Sequence, residues 1–401
     1  MNASIKPFKD LITDKGVFSD GDWVESKDQD PLGDVRLIQL ADIGVGKFIN
    51  KSKRFMTSQK TSDLNCTFLE EGDILIARMP DPIGRACIFP GVGCKAVTVV
   101  DICIVRPNNA EIDSRWLMHL INSNKFNHQI LQYVTGTTRQ RISRGNLAKL
   151  DVEVPPLAEQ KRIAAILDKA DAIRQKRKQA IDLADEFLRS VFLDMFGDPV
   201  TNPKGWEVSS LSSVADVITG FAFKSSEYVE DSETSVRLCR GANTLVGHFD
   251  WKDTAYYPKS HVSDLDKYLL EEGDIVLAMD RPWISSGLKV CMQGEYERDT
   301  YLVQRVARIR ANNANMRDYL HSCILSKSFE THCCPTETTV PHISPVELKN
   351  FGIMLPSLDV IERYGNSTKV INELKRRNEV QLVKSNDMFN SLSQKAFSGE
   401  L

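Results

Sequence analysis

The sequence predicts an α+β protein. Two globular units of mixed strand and helix are separated by two long antiparallel helices forming a coiled coil, and a pseudo-two-fold internal repeat relates the halves. Three observations carry that expectation. The stretch Glu70-Glu71-Gly72-Asp73-Ile74-Leu75-Ile76-Ala77 returns as Glu271-Glu272-Gly273-Asp274-Ile275-Val276-Leu277-Ala278, an offset of 201 residues. The same offset pairs Val35-Arg36-Leu37 with Val236-Arg237-Leu238 and Gly46-x-Phe48 with Gly247-x-Phe249. It also pairs Ile142-Ser143 with Ile343-Ser344, and Val154-Pro155-x-Leu157 with Leu355-Pro356-x-Leu358. One spacing kept over that much chain marks a duplicated folding unit, not a chance motif. The second observation is that Ala158–Phe196 runs for 39 residues without Gly or Pro. Helices in globular proteins average about 11–12 residues. The third is that the rest of each copy alternates short Val- and Ile-rich runs with amphipathic stretches.

The first unit spans 1–154. Ile74–Ala77 and Val97–Val105, bounded by Gly, Pro or Asp, read as strands. Ser114–Gln132 has apolar residues every three or four positions and reads as a helix. Pro155-Pro156 stops what precedes it, because proline lacks the N–H and disfavours helix in the residue before it. The central helix lies within 155–197 and ends at Gly197-Asp198-Pro199. The second unit spans 198–355, with strands at Ile275–Ala278 and Val303–Ile309 and a helix at Met316–His332. The second long helix fills 356–401.

In the first long helix one apolar row is Ile163, Ala170, Ala184 and Val191, with Arg177 between, and another is Ile166, Ile173, Ala180 and Phe187. These are the expected a and d rows of a heptad. Leu167, Ile181 and Leu188 widen the stripe on one flank, so more than one partner surface is expected. In the second helix the a row is Tyr364, Ile371, Asn378, Ser385 and Leu392, and the d row is Ser367, Leu374, Gln381 and Met388; Val380, Leu382 and Val383 add apolar area beside them, and Phe389 is a further candidate for partner docking. Asn378 opposite an Arg177-type position is a register device in coiled coils. The alternative is an ordinary amphipathic helix packed on a domain. A 39-residue helix is roughly 58 Å long at about 1.5 Å per residue. Two domains at the ends of such a rod could touch two places on one duplex with inverted polarity.

A chain of 401 residues exceeds one ordinary core. With no run of eighteen apolar residues and no signal-peptide core at the N-terminus, a cytoplasmic protein with no membrane span is expected. Nine scattered cysteines suit reduced thiols better than a disulfide framework. The net charge of −3 means that nucleic-acid binding would need local basic patches. Lys47, Lys51, Lys53, Arg54 and Lys60 lie in an acid-free stretch, and so do Lys125, Arg139, Arg141, Arg144 and Lys149. Each patch is read either as a solvated face or as a phosphate-contacting one. Lys224, Arg240, Arg281 and Lys289 are the candidates in the second copy.

Neither a Gly-x-Gly-x-x-Gly loop nor a P-loop occurs, and no Asn/Asp-Pro-Pro-aromatic tetrapeptide of amino-methyltransferases is present. The cluster His332-Cys333-Cys334, with His321, Cys323 and His342, lacks the Cys-x-x-Cys spacing of zinc sites, and buried thiols are the simpler reading. Gly136-Thr137-Thr138-Arg139-Gln140-Arg141-Ile142-Ser143 carries side chains able to meet phosphates or base edges. It is equally well read as a structural junction. Its counterpart, Thr336–Ser344, keeps Ile-Ser but not the arginines.

Residues 136–163, Gly-Thr-Thr-Arg-Gln-Arg-Ile-Ser through Val-Pro-Pro-Leu-x-Glu-Gln-Lys-Arg-Ile, resemble the end of a target-recognition domain and the start of the spacer helix in specificity subunits of type I restriction-modification systems. Met195-Phe196-Gly197-Asp198-Pro199 and Asn202-Pro203-Lys204-Gly205-Trp206 resemble the join to their second recognition domain, and Ile218–Ser225 and Glu271–Ala278 resemble its early and middle parts. After Leu355-Pro356-x-Leu358 the second copy departs from the pattern, with Asp359-Val360-Ile361-Glu362-Arg363. The resemblance implies a non-catalytic subunit whose two domains read the halves of a bipartite DNA site. It also implies that the paired helices set the spacing and dock two methyltransferase subunits, with restriction (translocase) subunits completing the nuclease. No cofactor is then expected on this chain; S-adenosylmethionine and ATP belong to the partner subunits. The competing readings are a stand-alone DNA methyltransferase and a coiled-coil interaction protein without nucleic acid.

Overall fold

The computed structural model describes residues 4–12, 16–108, 110–295, 298–333 and 342–401. The chain divides into two compact units, 1–178 with 379–401 and 179–378. Each unit therefore takes part of both long helices.

In the first unit, strands β1 (Ser4–Pro7), β2 (Val17–Asp20), β3 (Val35–Ile38) and β4 (Arg54–Met56) precede helix α1 (Ser58–Asp63). Next come β5 (Ile74–Ala77), β6 (Ala86–Ile88), β7 (Ala96–Thr98), β8 (Ile102–Arg106), α2 (Ser114–Ile121), α3 (Asn124–Gln132), α4 (Arg144–Leu147), β9 (Asp151–Val154) and the long α5 (Leu157–Phe196). The strands form three sheets, ordered β2-β8-β5-β6, β4-β3-β7 and β1-β9. β3 and β7 run parallel and the other pairs antiparallel. All four side chains of β5 are fully buried, so this strand carries a continuous apolar run instead of an alternation.

The second unit repeats that plan. β10 (Val208–Ser210), α6 (Leu211–Val214), β11 (Ala215–Thr219), β12 (Ser235–Cys239), β13 (Ala255–Pro258) and β14 (Ile275–Ala278) come first. A small hairpin of β15 (Trp283–Ile284) and β16 (Gly287–Leu288) follows, then β17 (Val290–Met292), β18 (Thr300–Leu302), β19 (Val306–Ala311), α7 (Arg317–Ile324), α8 (Lys327–Cys333), α9 (Pro345–Asn350), β20 (Gly352–Met354) and the long α10 (Leu358–Ser398). Its sheets are β11-β19-β14-β17, β13-β12-β18 and β10-β20, strand for strand those of the first unit. The β15–β16 hairpin is the addition. It lengthens the chain by three residues, so Arg106 corresponds to Arg310 at an offset of 204.

The repeated Glu-Glu-Gly-Asp stretch is a structural clamp. Gly72 and Gly273 turn the chain at φ +96° and +87°, a region that costs glycine little. Asp73 and Asp274 then accept the backbone N–H of Glu70 (2.8 Å) and Glu271 (2.7 Å). Their carboxylates, each 1% exposed, also receive two N–H groups from an arginine on the neighbouring strand. Arg106 Nε and Nη2 donate to Asp73 at 2.6 and 2.8 Å, with Nη1 on Glu70 at 2.6 Å. Arg310 Nε and Nη2 donate to Asp274 at 2.7 and 2.8 Å, with Nη1 on Glu271 at 2.7 Å.

Several sequence expectations are refined. Val97–Val105 is two strands, because the chain turns between Thr98 and Ile102. Ser114–Gln132 is two helices: Ser123 caps the second by accepting the Phe126 N–H at 3.2 Å. Met316–His332 breaks likewise at Ser326, whose hydroxyl accepts the Phe329 N–H at 3.3 Å. In the long helices the expected d row is a correction. Ile173, Phe187, Leu374 and Met388 are exposed, Phe187 by 57%. The more buried rows are a, with Ile163, Ala170, Tyr364 and Ile371, and the row one step beyond d, with Leu167, Ile181, Leu188, Leu382 and Phe389. Apolar residues at a, d and their neighbour offer two seams at the same period, and burial follows the one that also meets the globular cores: Ile163 and Leu167 pack with Trp116 and Phe397. Ile166 and Val191 are half-buried.

Within the first unit, the Arg174 guanidinium lies 4.0 Å from the Phe389 ring centroid and Arg162 donates to the Leu401 carbonyl at 2.8 Å. Within the second, Lys375 pairs with Asp185 at 2.6 Å and Tyr364 meets Phe196 edge-on at 5.1 Å. In each unit the helix segments therefore run antiparallel.

Removing either buried carboxylate strips a half-buried arginine of two charged hydrogen bonds and leaves it to Glu70 or Glu271 and a backbone carbonyl, which costs about 2 kcal/mol. Asp73→Ala and Asp274→Ala are expected to destabilise their units by similar amounts. Denaturant unfolding followed by hydrogen exchange in β5 and β14 reads this out, and loss confined to one variant would show that the two clamps are not equivalent.

Candidate nucleic-acid interface

Internal cations tie together the loops that carry the surface charges. In the first unit Arg85 Nε donates to the Ile43 carbonyl at 2.7 Å, Nη2 to Leu40 at 3.0 Å, and Nη1 to Met79 at 2.9 Å and Pro82 at 3.0 Å. Gly46 N–H reaches the Ala86 carbonyl at 2.8 Å, and Ile142 N–H the Arg78 carbonyl at 3.0 Å. Two loops, the β3–β4 connection and the one before α4, thus converge on the segment between β5 and β6. The second unit repeats the pattern: Gly247 N–H bonds Val290 at 2.9 Å and Ile343 N–H bonds Met279 at 2.9 Å. Lys289 occupies the Arg85 position, and its ammonium donates to the Gly241 carbonyl, the counterpart of Leu40. Burial pulls the Lys289 amine below its usual range.

Of the first unit's two basic patches, Lys60 pairs with Asp28 at 3.6 Å and Lys125 with Glu153 at 3.0 Å, while others face solvent. Lys47, Lys51, Lys53 and Arg54 are exposed, as are Arg139 and Arg141. Buried Asp42 positions the basic stretch by accepting Ser52 N–H at 2.7 Å between Lys51 and Lys53. Arg144 is half-tied, 3.9 Å from Asp20. In the second unit the candidates are mostly engaged. Arg240 pairs with Asp253 at 3.3 Å and its Nε bonds Asn243 at 3.4 Å; Lys224 pairs with Glu227 at 3.5 Å. Arg281 is exposed, with φ at +46°.

Sequence reasoning missed one cluster. Asp280 Oδ1 bonds His342 Nδ1 at 2.6 Å, and Arg305 Nη1 donates to Asp280 Oδ2 at 2.6 Å. Partial burial pushes the Asp280 carboxyl up, but the bonds from Arg305 and His342 outweigh it and hold the group below its usual range. A depression of about 470 Å³ adjoins them, lined by Thr219, Met279, Asp280, Arg305, His342 and Pro345. No motif marks this cluster. Its members are far apart in sequence, and only alignment of the two copies singles them out.

The histidine–cysteine group does not form a metal site among the described residues. His332 Nε2 bonds the Glu347 carbonyl at 2.9 Å, and burial pushes His321 down to about 4 and the Cys323 thiol up to about 12. Cys334 and most of the Thr336–Ser344 counterpart loop lie outside the described residues. No helix among the described residues is long and apolar enough to cross a membrane.

This doubled frame with unlike loop surfaces has known parallels. The family model for the type I restriction modification DNA specificity domain matches residues 15–183 and 203–381. The chain belongs to this family of type I specificity subunits. It is 31% identical over 251 residues to the specificity subunit of the type I restriction enzyme EcoAI of Escherichia coli, an alignment that covers 60% of this chain and 40% of that one. It is 26% identical over 336 residues to the MjaVIII specificity subunit of Methanocaldococcus jannaschii, covering 79% of this chain and 77% of the relative. A chain from a type I R-M system, solved for its complex assembly and conformational transition, superposes with a TM-score of 0.55 at 16% identity, covering 100% of this chain and 98% of that one. The S subunit from M. genitalium gives 0.54 at 12%, covering 99% and 96%. These two likenesses show the fold.

The clamp on Asp280 has a titration signature. Its carboxyl pKa is depressed in the folded state, so its contribution is present above the unfolded value and is lost as pH falls through the folded one. The Asp280 carboxyl is expected to titrate below 3.8, and Arg305→Ala should raise that midpoint. Carbon-detected NMR measures it; a wild-type midpoint at or above 3.8 excludes the clamp.

Proposed function

We propose that this chain is the DNA-sequence-specificity subunit of a type I restriction-modification complex, without catalysis of its own. Each globular unit reads one half of a bipartite, asymmetric site. The observation that carries this is the division of labour between the copies: what they share is internal bonding, and what differs lies on exposed loops gathered by Arg85 and Lys289. In this reading α5 and α10 pair along their length as a coiled coil that sets the half-site spacing. The exposed residues of the d row, Ile173, Phe187, Leu374 and Met388, are left available to two methyltransferase subunits. Those subunits bring S-adenosylmethionine, and ATP-driven restriction subunits complete the nuclease. The substrate, intracellular duplex DNA, places the complex in the cytoplasm.

Base-modification sequencing of cells carrying this chain with its methyltransferase partner should show one methylated motif made of two unlike halves around a fixed gap. Methylation without such a motif would overturn the reading.

For the first unit, replacing Lys47, Lys51, Lys53 and Arg54 together by Ala should weaken binding to all duplexes alike. Each lost phosphate contact should make the slope of log affinity against log salt shallower by about 0.9. An unchanged slope clears the patch of phosphate contact.

A further inference from the structure

We infer that Arg305, oriented by Asp280, reads a guanine in the half-site contacted by the second unit; this rests on the specificity reading above. The two copies provide the comparison. Met279 N–H bonds the Arg305 carbonyl at 3.0 Å, as Arg78 N–H bonds Asp101 at 2.9 Å, so Arg305 stands where the first copy has Asp101. Asp280 stands where the first copy has Met79, and His342 where it has Arg141. The cluster is therefore absent from the shared frame.

The neighbouring space differs in the same way. In the first copy Asp20 lies 3.3 Å from Arg78 and 3.9 Å from Arg144, so this corner holds charges of both signs close together. Their counterparts are Thr219, Met279 and Pro345, which cannot form ion pairs, and there the depression opens beside Arg305. The second unit has thus exchanged a salt-bridged corner for a recess with a charged rim.

The chemistry of the rim selects the ligand. Both Asp280 oxygens are engaged, one by His342 and one by Arg305, so Asp280 positions rather than reads. Arg305 remains 71% exposed. A guanidinium has five N–H donors in a rigid fork, and one donated to Asp280 leaves an edge for two parallel bonds. In the major groove, guanine O6 and N7 present two matching acceptors. An ion pair this exposed adds little to stability, so the fold has small need of it. Arg305 also holds φ at +66°, where a bulky residue is uncommon and persists only when its surroundings impose it.

The test uses the complex with its methyltransferase subunits. The motif of the wild-type complex is mapped first, and failure to find a bipartite motif counts against the specificity reading itself. Arg305→Ala, Arg305→Lys and Asp280→Asn are then compared on duplexes carrying that motif and each single-base replacement. Arg305→Ala should flatten the preference for one guanine in one half-site by roughly 10- to 100-fold, with the other half-site read as before. Arg305→Lys, which keeps the charge but not the fork, should lose most of that preference. Asp280→Asn should lose less, at the same position. A uniform loss on every duplex with a salt slope shallower by about one would make Arg305 a phosphate contact and overturn the proposal. So would an unchanged preference at every position.

Discussion

The fold rests on a dry carboxylate held by an arginine fork, built twice. Asp73 and Asp274 each close a turn, start a fully buried strand and bind the strand beside it. Because β5 and β14 sit between two partners in their sheets, their register fixes that of β8 and β6, or of β19 and β17. Those strands in turn present Arg85 and Lys289 to the loops. A doubly bonded ion pair on a buried carboxylate is costly to disturb but specifies one geometry, and the loops bonded to Arg85 and Lys289 are placed by strands that it holds in register.

On that frame the two units meet solvent with different chemistry. The first offers lysines and arginines on a loop stiffened by Asp42. The second ties most of its cations to carboxylates or carbonyls and exposes a charged recess instead. Free cations favour the sequence-blind phosphate backbone, whereas tethered side chains are pre-oriented for base edges. Two unlike surfaces on one scaffold are what an asymmetric target requires.

The repeat, the buried strands β5 and β14 and both long helices were legible in the sequence because each has a period or a punctuating residue. The strand expected at Val303–Ile309 is instead Val306–Ala311, the chain turning at Gln304 and Arg305. The breaks at Ser123 and Ser326 were not legible, since the apolar rhythm continues across them and only the cap geometry reveals the stop. The choice between d and its neighbouring row was also hidden: both satisfy the same heptad, and the contacts of Ile163 and Leu167 with the globular core decide it. Among the candidate cations, charge alone could not separate Lys51, which is exposed, from Lys289, which serves the interior. Arg305 was missed because its partners, Asp280 and His342, are brought to it only by the fold.

The three extra residues between β14 and β17 have a wider meaning. The strands on either side keep their partners, and the cation at the far end still grips the same carbonyl, so the added length is absorbed without disturbing the sheet. A segment pinned at both ends by the frame can grow, shrink or change composition at small energetic cost. Such a joint gives the chain a place to drift toward new targets while its scaffold, and everything that must assemble on it, stays unchanged.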